Sequence, residues 1–320
     1  MKKAVILFNL GGPNNLAAVQ GFLFNLFYDK AIIQLPNPLR YFIAKLISSK
    51  RAPIAKEIYK KIGNKSPILE ETKKQAEALQ NMLKNDTDNK WRVFISMRYW
   101  HPFSYETIEK VKEFGAEEIV LLPLYPQFST TTTRSSFKDW YKQASNINYL
   151  TKTREVQSYH DNEKFIISHT HKIKPFYEQA EKYGKPRLLF SAHGLPEKVI
   201  KQGDPYQKQV EESVSLIVKK LNINNLDYIV CYQSRVGPLK WIGPSTEDEI
   251  KRAGRDNVPV IIIPIAFVSE HSETLVELDI EYKHLAHENG VKQYLRVPAL
   301  GNDSLFIKAL TDCVLNINSY

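Results

Sequence analysis

The chain has 320 residues, 43% of them hydrophobic, enough to bury a sizeable core as one large or two medium domains. Its two cysteines, Cys231 and Cys313, exclude a disulfide framework or a four-cysteine iron–sulfur cluster built within one chain, and they fit a reducing cytoplasm. The 44 Lys and Arg against 35 Asp and Glu give a charge of +9, suited to acidic substrates or anionic lipid surfaces; no RRM, zinc-finger or basic-aromatic pattern is present, so nucleic acid ranks last among partners.

The opening stretch MKKAVILFNLGG places two lysines before an apolar run. Asn9 and Gly11-Gly12-Pro13 interrupt that run and no small-residue cleavage site follows, so it reads as a first strand and not as a signal peptide. Six short apolar runs read as buried strands: AVILF at 4–8, RVFIS at 92–96, EIVLLPL at 118–124, RLLFS at 187–191, YIVCY at 228–232 and VIIIPIAF at 260–267. Helical patterns lie between them, such as SPILEETKKQAEALQNML, with Ser66 as the expected N-cap and Pro67 at the first helical position. Strands alternating with helices argue for parallel α/β sheets. The runs fall three and three about a polar segment near 145–165, which gives two similar halves, 1–150 and 151–320, facing one cleft. Pro264 cannot donate to a ladder, so the sixth strand is expected to be edge-like or bulged there.

Residues 20–51 form an aromatic-rich, proline-interrupted insert after the first strand. Its apolar runs are far shorter than the ~18 residues of a membrane-spanning helix. It reads either as helical core or as an exposed apolar lip with a basic edge at Lys30, Arg40, Lys45, Lys50 and Arg51, fit for a flat greasy ligand or peripheral contact with a membrane.

In open parallel sheets ligands bind beyond the carboxyl ends of the strands, and the unusual residues cluster there: NLGGP, MRYWHP, YPQFSTTTTRSS, AHGLP, QSRVGPLKWIGP and SEHSE. Gly11-Gly12 lacks the G-x-G-x-x-G spacing and no phosphate-binding G-x-x-x-x-G-K-[ST] occurs, so no nucleotide cofactor is expected. His193 follows the RLLFS run by two residues, where a neutral imidazole can take a proton near pH 7 or ligate a divalent metal. After the last run, Glu270, Glu273, Glu277 and Glu281 follow at steps of three, four and four. At a helical ~100° per residue they share roughly an 80° arc. Like charges so spaced destabilise a helix unless the face is solvated or a cation is bound or passing, and both readings stay open. Thr274 and Glu277 also fit a capping box, which leaves Glu270 and Glu273 in the preceding loop.

Taken together, LFNLGGP, RYWHP, LYPQFSTTT, FSAHGLP, CYQSRVGPLKWIGPSTEDE and FVSEHSETLVELDIEY, in this order along nearly the whole chain, resemble the ferrochelatase family of haem synthesis. The resemblance implies two Rossmann-like halves around a porphyrin cleft and insertion of Fe²⁺ into protoporphyrin IX without nucleotide, with coproporphyrin III as the alternative substrate. By position, His193 matches the family's active-site histidine and Glu273 its partner carboxylate, as proton acceptor and relay or as metal ligands. His271, Glu277 and Glu281 match the rest of the acidic wall, although the family often has Asp where this chain has Glu270. Arg98, Tyr99, Tyr125 and Trp241 match cleft-lining positions, Leu10 faces the macrocycle, and Arg51 and Ser234 resemble propionate contacts. The cysteine-bearing extension of the animal enzymes is not found after Cys313, so no iron–sulfur cluster and no cofactor beyond the substrate iron is expected.

Overall fold

A computed structural model describes residues 1–235, 237 and 239–316. The chain divides into two compact units, Met1–Ser158 with the residues from Leu310 on, and Tyr159–Ala309.

The first unit runs β1 (Lys2–Asn9), α1 (Val19–Tyr28), α2 (Leu39–Lys60), α3 (Ile68–Leu83), β2 (Lys90–Met97), α4 (Ser104–Phe114), β3 (Glu118–Pro123), α5 (Thr133–Asn146) and β4 (Lys152–Glu155). Its sheet is parallel, in the order β2-β1-β3-β4. Val5 stands in register with Val93 on one side and Val120 on the other. A central strand covered on both faces must be apolar throughout, and Ala4 to Phe8 are all buried. Phe8 packs edge-on against Phe137 and Trp140 of α5, in a core shared with Ile108 and Val111 of α4.

The second unit repeats the plan: α6 (Glu163–Glu181), β5 (Arg187–His193), α7 (Glu197–Lys201), α8 (Tyr206–Leu221), β6 (Asp227–Gln233), α9 (Thr246–Arg255), β7 (Val260–Pro264), a π-helix (Glu273–Tyr282), α10 (Lys283–Glu288), β8 (Tyr294–Arg296) and the start of α11 (Ser304–Leu315), whose residues from Leu310 belong to the first unit. The sheet order is β6-β5-β7-β8, again parallel. Leu189 and Ile262 of the sheet meet Ile250 and Ala253 of α9 and Leu278 and Tyr282 of the π-helix in one core.

All six expected strands form, but each sheet has four strands and not three. β4 and β8 carry no apolar run: Lys152–Glu155 and Tyr294–Arg296 lie at sheet edges with no fully buried residue. β7 lies between β5 and β8, but β8 reaches only as far as Ile262, so at Pro264, paired with Ser191 alone, the strand is edge-like as expected and the missing donor breaks no ladder. The helix expected to start at Pro67 starts at Ile68, with Pro67 at the cap and Ser66 Oγ accepting from the Ile68 N–H at 3.4 Å.

The insert is part buried core and part exposed apolar surface. Val19, Phe22 and Leu23 of α1 pack with Ala52, Tyr59 and Tyr99 in a buried cluster, whereas on α2 Leu39, Phe42, Leu46 and Ile54 are 50–68% exposed. Among the described residues no helix is long and apolar enough to cross a membrane.

Candidate active site

The sequence places His193 in a loop, but it is the last residue of β5. Its backbone is fixed by pairing with Gln233 of β6 and by the Gly194 N–H, which donates to the Gln233 carbonyl at 2.9 Å. A Cβ on residue 194 would meet that carbonyl oxygen at 3.1 Å and the Trp241 ring at 3.4 Å, so glycine lets the turn close behind the histidine. The imidazole Nδ1 lies 2.9 Å from Glu273 Oε2. A carboxylate only accepts, so Nδ1 carries the hydrogen and the lone pair of a neutral ring sits on Nε2. The side chain is 39% exposed, which leaves that nitrogen open to a reactant.

Glu273 opens the π-helix, whose i→i+5 winding is rare and concentrates at functional sites. The single stripe of Glu270, Glu273, Glu277 and Glu281 does not form, because the helix begins only at Glu273. Glu270 lies before the helix, where Arg296 Nη1 and the Ala299 N–H both donate to its Oε1, at 2.6 and 2.9 Å. Glu281 is exposed near the far end. Thr274 does not cap the helix; its Oγ1 accepts the His271 N–H at 3.0 Å. The acids that stay together are Glu273 and Glu277.

Glu277 is held at both oxygens. Oε2 accepts from Gln233 Nε2 at 2.9 Å and from Ser234 Oγ at 2.5 Å, and Oε1 accepts from the Ser234 N–H at 2.8 Å and the Tyr282 hydroxyl at 3.0 Å. Ser234 adopts φ 61° to do so, a left-handed conformation costing a non-glycine residue about 1–2 kcal/mol. His271 is oriented by Nδ1 against the Ser269 carbonyl at 3.1 Å, with Nε2 3.9 Å from Glu273 Oε2, and its ring meets Phe267 edge-on.

These contacts separate the proton affinities of neighbouring groups. Burial depresses His193, but the Glu273 charge and hydrogen bond outweigh it and raise the imidazole above its usual value. For Glu273 burial opposes ionisation, yet the two histidines hold it well below the ordinary carboxylate range. Glu277 is raised, first by burial and then by repulsion from Glu273, although Ser234, Gln233 and Tyr282 donate to it. An ionised carboxylate thus lies between a proton-accepting imidazole and a second carboxylate that binds protons readily. To a metal the pair offers one imidazole nitrogen and carboxylate oxygen; no group of three or more His, Cys, Asp or Glu converges as a ligand set among the described residues.

The remaining expected residues are placed as follows. Trp241 is half-buried and bridges Pro196 across the turn after β5. Ser234 is committed to the acidic wall. In the first unit, Arg98 donates to Asp29 Oδ2 and Ser135 Oγ at 2.9 and 2.8 Å, and the Tyr99 hydroxyl donates to the same Asp29 oxygen at 2.9 Å. Tyr99 is fully buried and therefore backs Arg98 instead of lining a surface. Tyr125 is partly buried, with its hydroxyl enclosed. Leu10 packs on the α1–α2 cluster, and the exposed Arg51 stacks on Phe27. The sequence reading missed Asp29, Gln233 and Arg296. Gln233 sits inside the quoted CYQSRVGP run and was within reach; Asp29 is one acid in a basic, aromatic insert and carried no signal.

The Ferrochelatase family profile matches residues 2–317. The chain is 58% identical over 317 residues to the ferrochelatase of Wolbachia sp. subsp. Drosophila simulans (strain wRi), covering 99% of this chain and 100% of that protein. It is 54% identical over 321 residues to the ferrochelatase of Pelagibacter ubique (strain HTCC1062), covering 100% and 92%. Among solved structures it is similar to SirB from Bacillus subtilis with Fe³⁺, at a TM-score of 0.56 and 13% identity over 100% of this chain and 98% of that one. CbiX, described as the terminal enzyme of sirohaem biosynthesis in denitrifying bacteria, matches at 0.53 and 11% over 98% of each. At such identities the structural likeness shows the fold, an α/β architecture shared with chelatases.

Proposed function

This chain belongs to the ferrochelatase family, and from that premise we propose that it inserts Fe²⁺ into protoporphyrin IX, yielding protohaem and two protons. It is a lyase-type enzyme of haem synthesis with a porphyrin and iron as substrates. The observation that carries the assignment of roles is the 2.9 Å contact between His193 Nδ1 and Glu273, which leaves Nε2 as the open basic atom. The macrocycle must lose two pyrrole protons as the metal enters. His193 Nε2 accepts a proton, Glu273 stabilises the imidazolium that forms, and Glu277 passes protons outward past the exposed Glu281. His271 helps keep Glu273 ionised. Leu10, Arg51, Arg98, Tyr125 and Trp241 contact the porphyrin, with Tyr99 supporting Arg98. No nucleotide, iron–sulfur cluster or other cofactor takes part.

Protoporphyrin IX is preferred over coproporphyrin III because the insert presents Leu39, Phe42 and Leu46, and each further propionate desolvated against such a surface costs several kcal/mol. The same residues, with Arg40, Lys45, Lys50 and Arg51 among them, make the insert the point of peripheral contact between this cytoplasmic enzyme and an anionic membrane. Anaerobic absorbance assays with Fe²⁺ or Zn²⁺ and each porphyrin test the assignment. Metalloporphyrin formation with kcat/KM favouring protoporphyrin IX is expected; equal kcat/KM would refute the preference, and binding without conversion would make the protein a carrier.

A further inference from the structure

The acidic wall rests on a ten-residue π-helix, a winding usually found as single-turn bulges. Something outside the helix must hold a segment this long in that form, and the contacts converge on the short edge strand β8. The Tyr294 hydroxyl donates to the Leu278 carbonyl at 2.7 Å. Arg296 Nε donates to Asp279 Oδ1 at 2.8 Å and Nη2 to Asp279 Oδ2, in a bidentate fork, while Nη1 donates to Glu270 Oε1 at 2.6 Å. The Arg296 side chain is 10% exposed. One guanidinium therefore grips the loop three residues before Glu273 and the helix two residues after Glu277. Between those two points lie both carboxylates of the wall.

We propose that Arg296 is a positioning residue for the Glu273–Glu277 wall, holding its π winding through Glu270 on one side and Asp279 on the other. The inference rests on the reading that this wall serves the metal-insertion step. Without the clamp the segment relaxes toward α-helical winding, in which Glu277 turns away from Gln233 and Ser234 and Glu273 from His193. Lysine retains the charge but cannot bind Asp279 through two nitrogens and Glu270 through a third. Glu270 is thus assigned to support of the wall and not to proton transfer.

The test is Zn²⁺ insertion by Arg296→Lys, Asp279→Asn and the double variant, with active protein counted by porphyrin titration through fluorescence quenching. A misplacement of ~1 Å at a reacting group can cost 100-fold in rate, so Arg296→Lys is expected to lose at least about tenfold in kcat per titrated site. Porphyrin Kd and KM should stay within about twofold. Asp279→Asn should lose less, and the double variant no more than Arg296→Lys, because both break one contact. A merely structural role lowers the number of titrated sites and leaves kcat per site unchanged, and that result overturns the proposal. If Arg296→Lys does not fold, Asp279→Asn decides by the same criterion, since it keeps the Arg296–Glu270 pair. His193→Ala measured alongside separates the two levels: its loss of activity with wild-type kcat in the clamp variants overturns the clamp alone, and its full activity overturns the reading beneath.

Discussion

Ser234 holds Glu277 twice, its backbone N–H on Oε1 at 2.8 Å and its hydroxyl on Oε2 at 2.5 Å. Both donors favour the charged carboxylate and so oppose the burial and the Glu273 repulsion that raise it. Ser234→Ala removes one of them, and Glu277 then stays protonated to a higher pH than in the wild type. An enzyme that needs Glu277 ionised to receive a proton loses activity over that interval, so the acidic limb of the kcat profile should move to higher pH. Glu277→Gln should abolish the limb. Unchanged profiles in both variants would remove Glu277 from the relay.

How much of this was legible depended on what each residue has to satisfy. Strands β1, β3, β5 and β7 are buried on both faces and had to be written as apolar runs. β4 and β8 are short edges whose side chains need no such pattern. His193 and Glu273 stood out through motifs several residues long. The π winding did not, because a row of acids at three- and four-residue steps suits an α-helix equally well. Arg296 was invisible for a related reason: its partners lie 17 and 26 residues away, and no local spacing announces a clamp closed by tertiary structure.

Asp29 is the hub of the first unit's buried polar network, accepting from Arg98, the Tyr99 hydroxyl and Ser135. Asp29→Ala leaves the Arg98 guanidinium 3.9 Å from Asp139 as its remaining carboxylate and strands the buried phenol. Breaking one partner of a buried pair costs about 3–5 kcal/mol; Arg98 is 19% exposed, so the lower end of that range is expected in urea unfolding. Asp29→Asn, which still accepts a hydrogen bond, should lose less. A cost below about 1 kcal/mol for the alanine variant, the size of a single ordinary hydrogen bond, would show that the network contributes little.

Glu118, at the start of β3, should give the fold an acid-sensitive component. Burial opposes its ionisation, but Arg154 at 2.5 Å, Lys3 and Lys152 outweigh burial and lower its pKa. A carboxyl lowered in the folded state binds its proton first in the unfolded chain. Its contribution is therefore complete above the unfolded value near 4.5 and lost as pH falls through the folded value. Unfolding free energies of wild type and Glu118→Gln should differ by about 1–2 kcal/mol at pH 7 and converge only as pH falls below the lowered folded value. A difference that stays constant with pH would assign the effect to packing and not to charge.

Membrane contact through α2 should depend on both apolar area and charge. Each basic residue near an anionic surface contributes roughly 1 kcal/mol, screened within a Debye length of ~10 Å at 0.1 M salt. Sedimentation with phosphatidylglycerol-rich vesicles should capture the enzyme at low salt and release most of it at high salt. Phe42→Ser with Ile54→Ser, both at exposed positions, should weaken capture without lowering thermal stability. Capture insensitive to both salt and these substitutions would place the contact elsewhere.

The roles of His193 and Glu273 are separable because a base and a metal ligand fail differently. If His193 Nε2 takes the pyrrole proton, His193→Ala removes an interaction made in the transition state, and kcat falls strongly while porphyrin binding stays near normal. Glu273→Gln keeps the shape of the pair but not its charge, so the imidazolium loses its counter-ion and kcat falls again. Glu277→Gln and Glu281→Gln act farther out, where water can replace a side chain, and their losses should be milder and more dependent on pH. If the pair instead ligates Fe²⁺ during insertion, the metal KM rises and kcat recovers as metal saturates. Steady-state kinetics at varied metal and pH distinguish these patterns. A kcat for His193→Ala that is indifferent to metal concentration supports proton transfer at Nε2, and recovery at saturating metal would overturn it in favour of ligation.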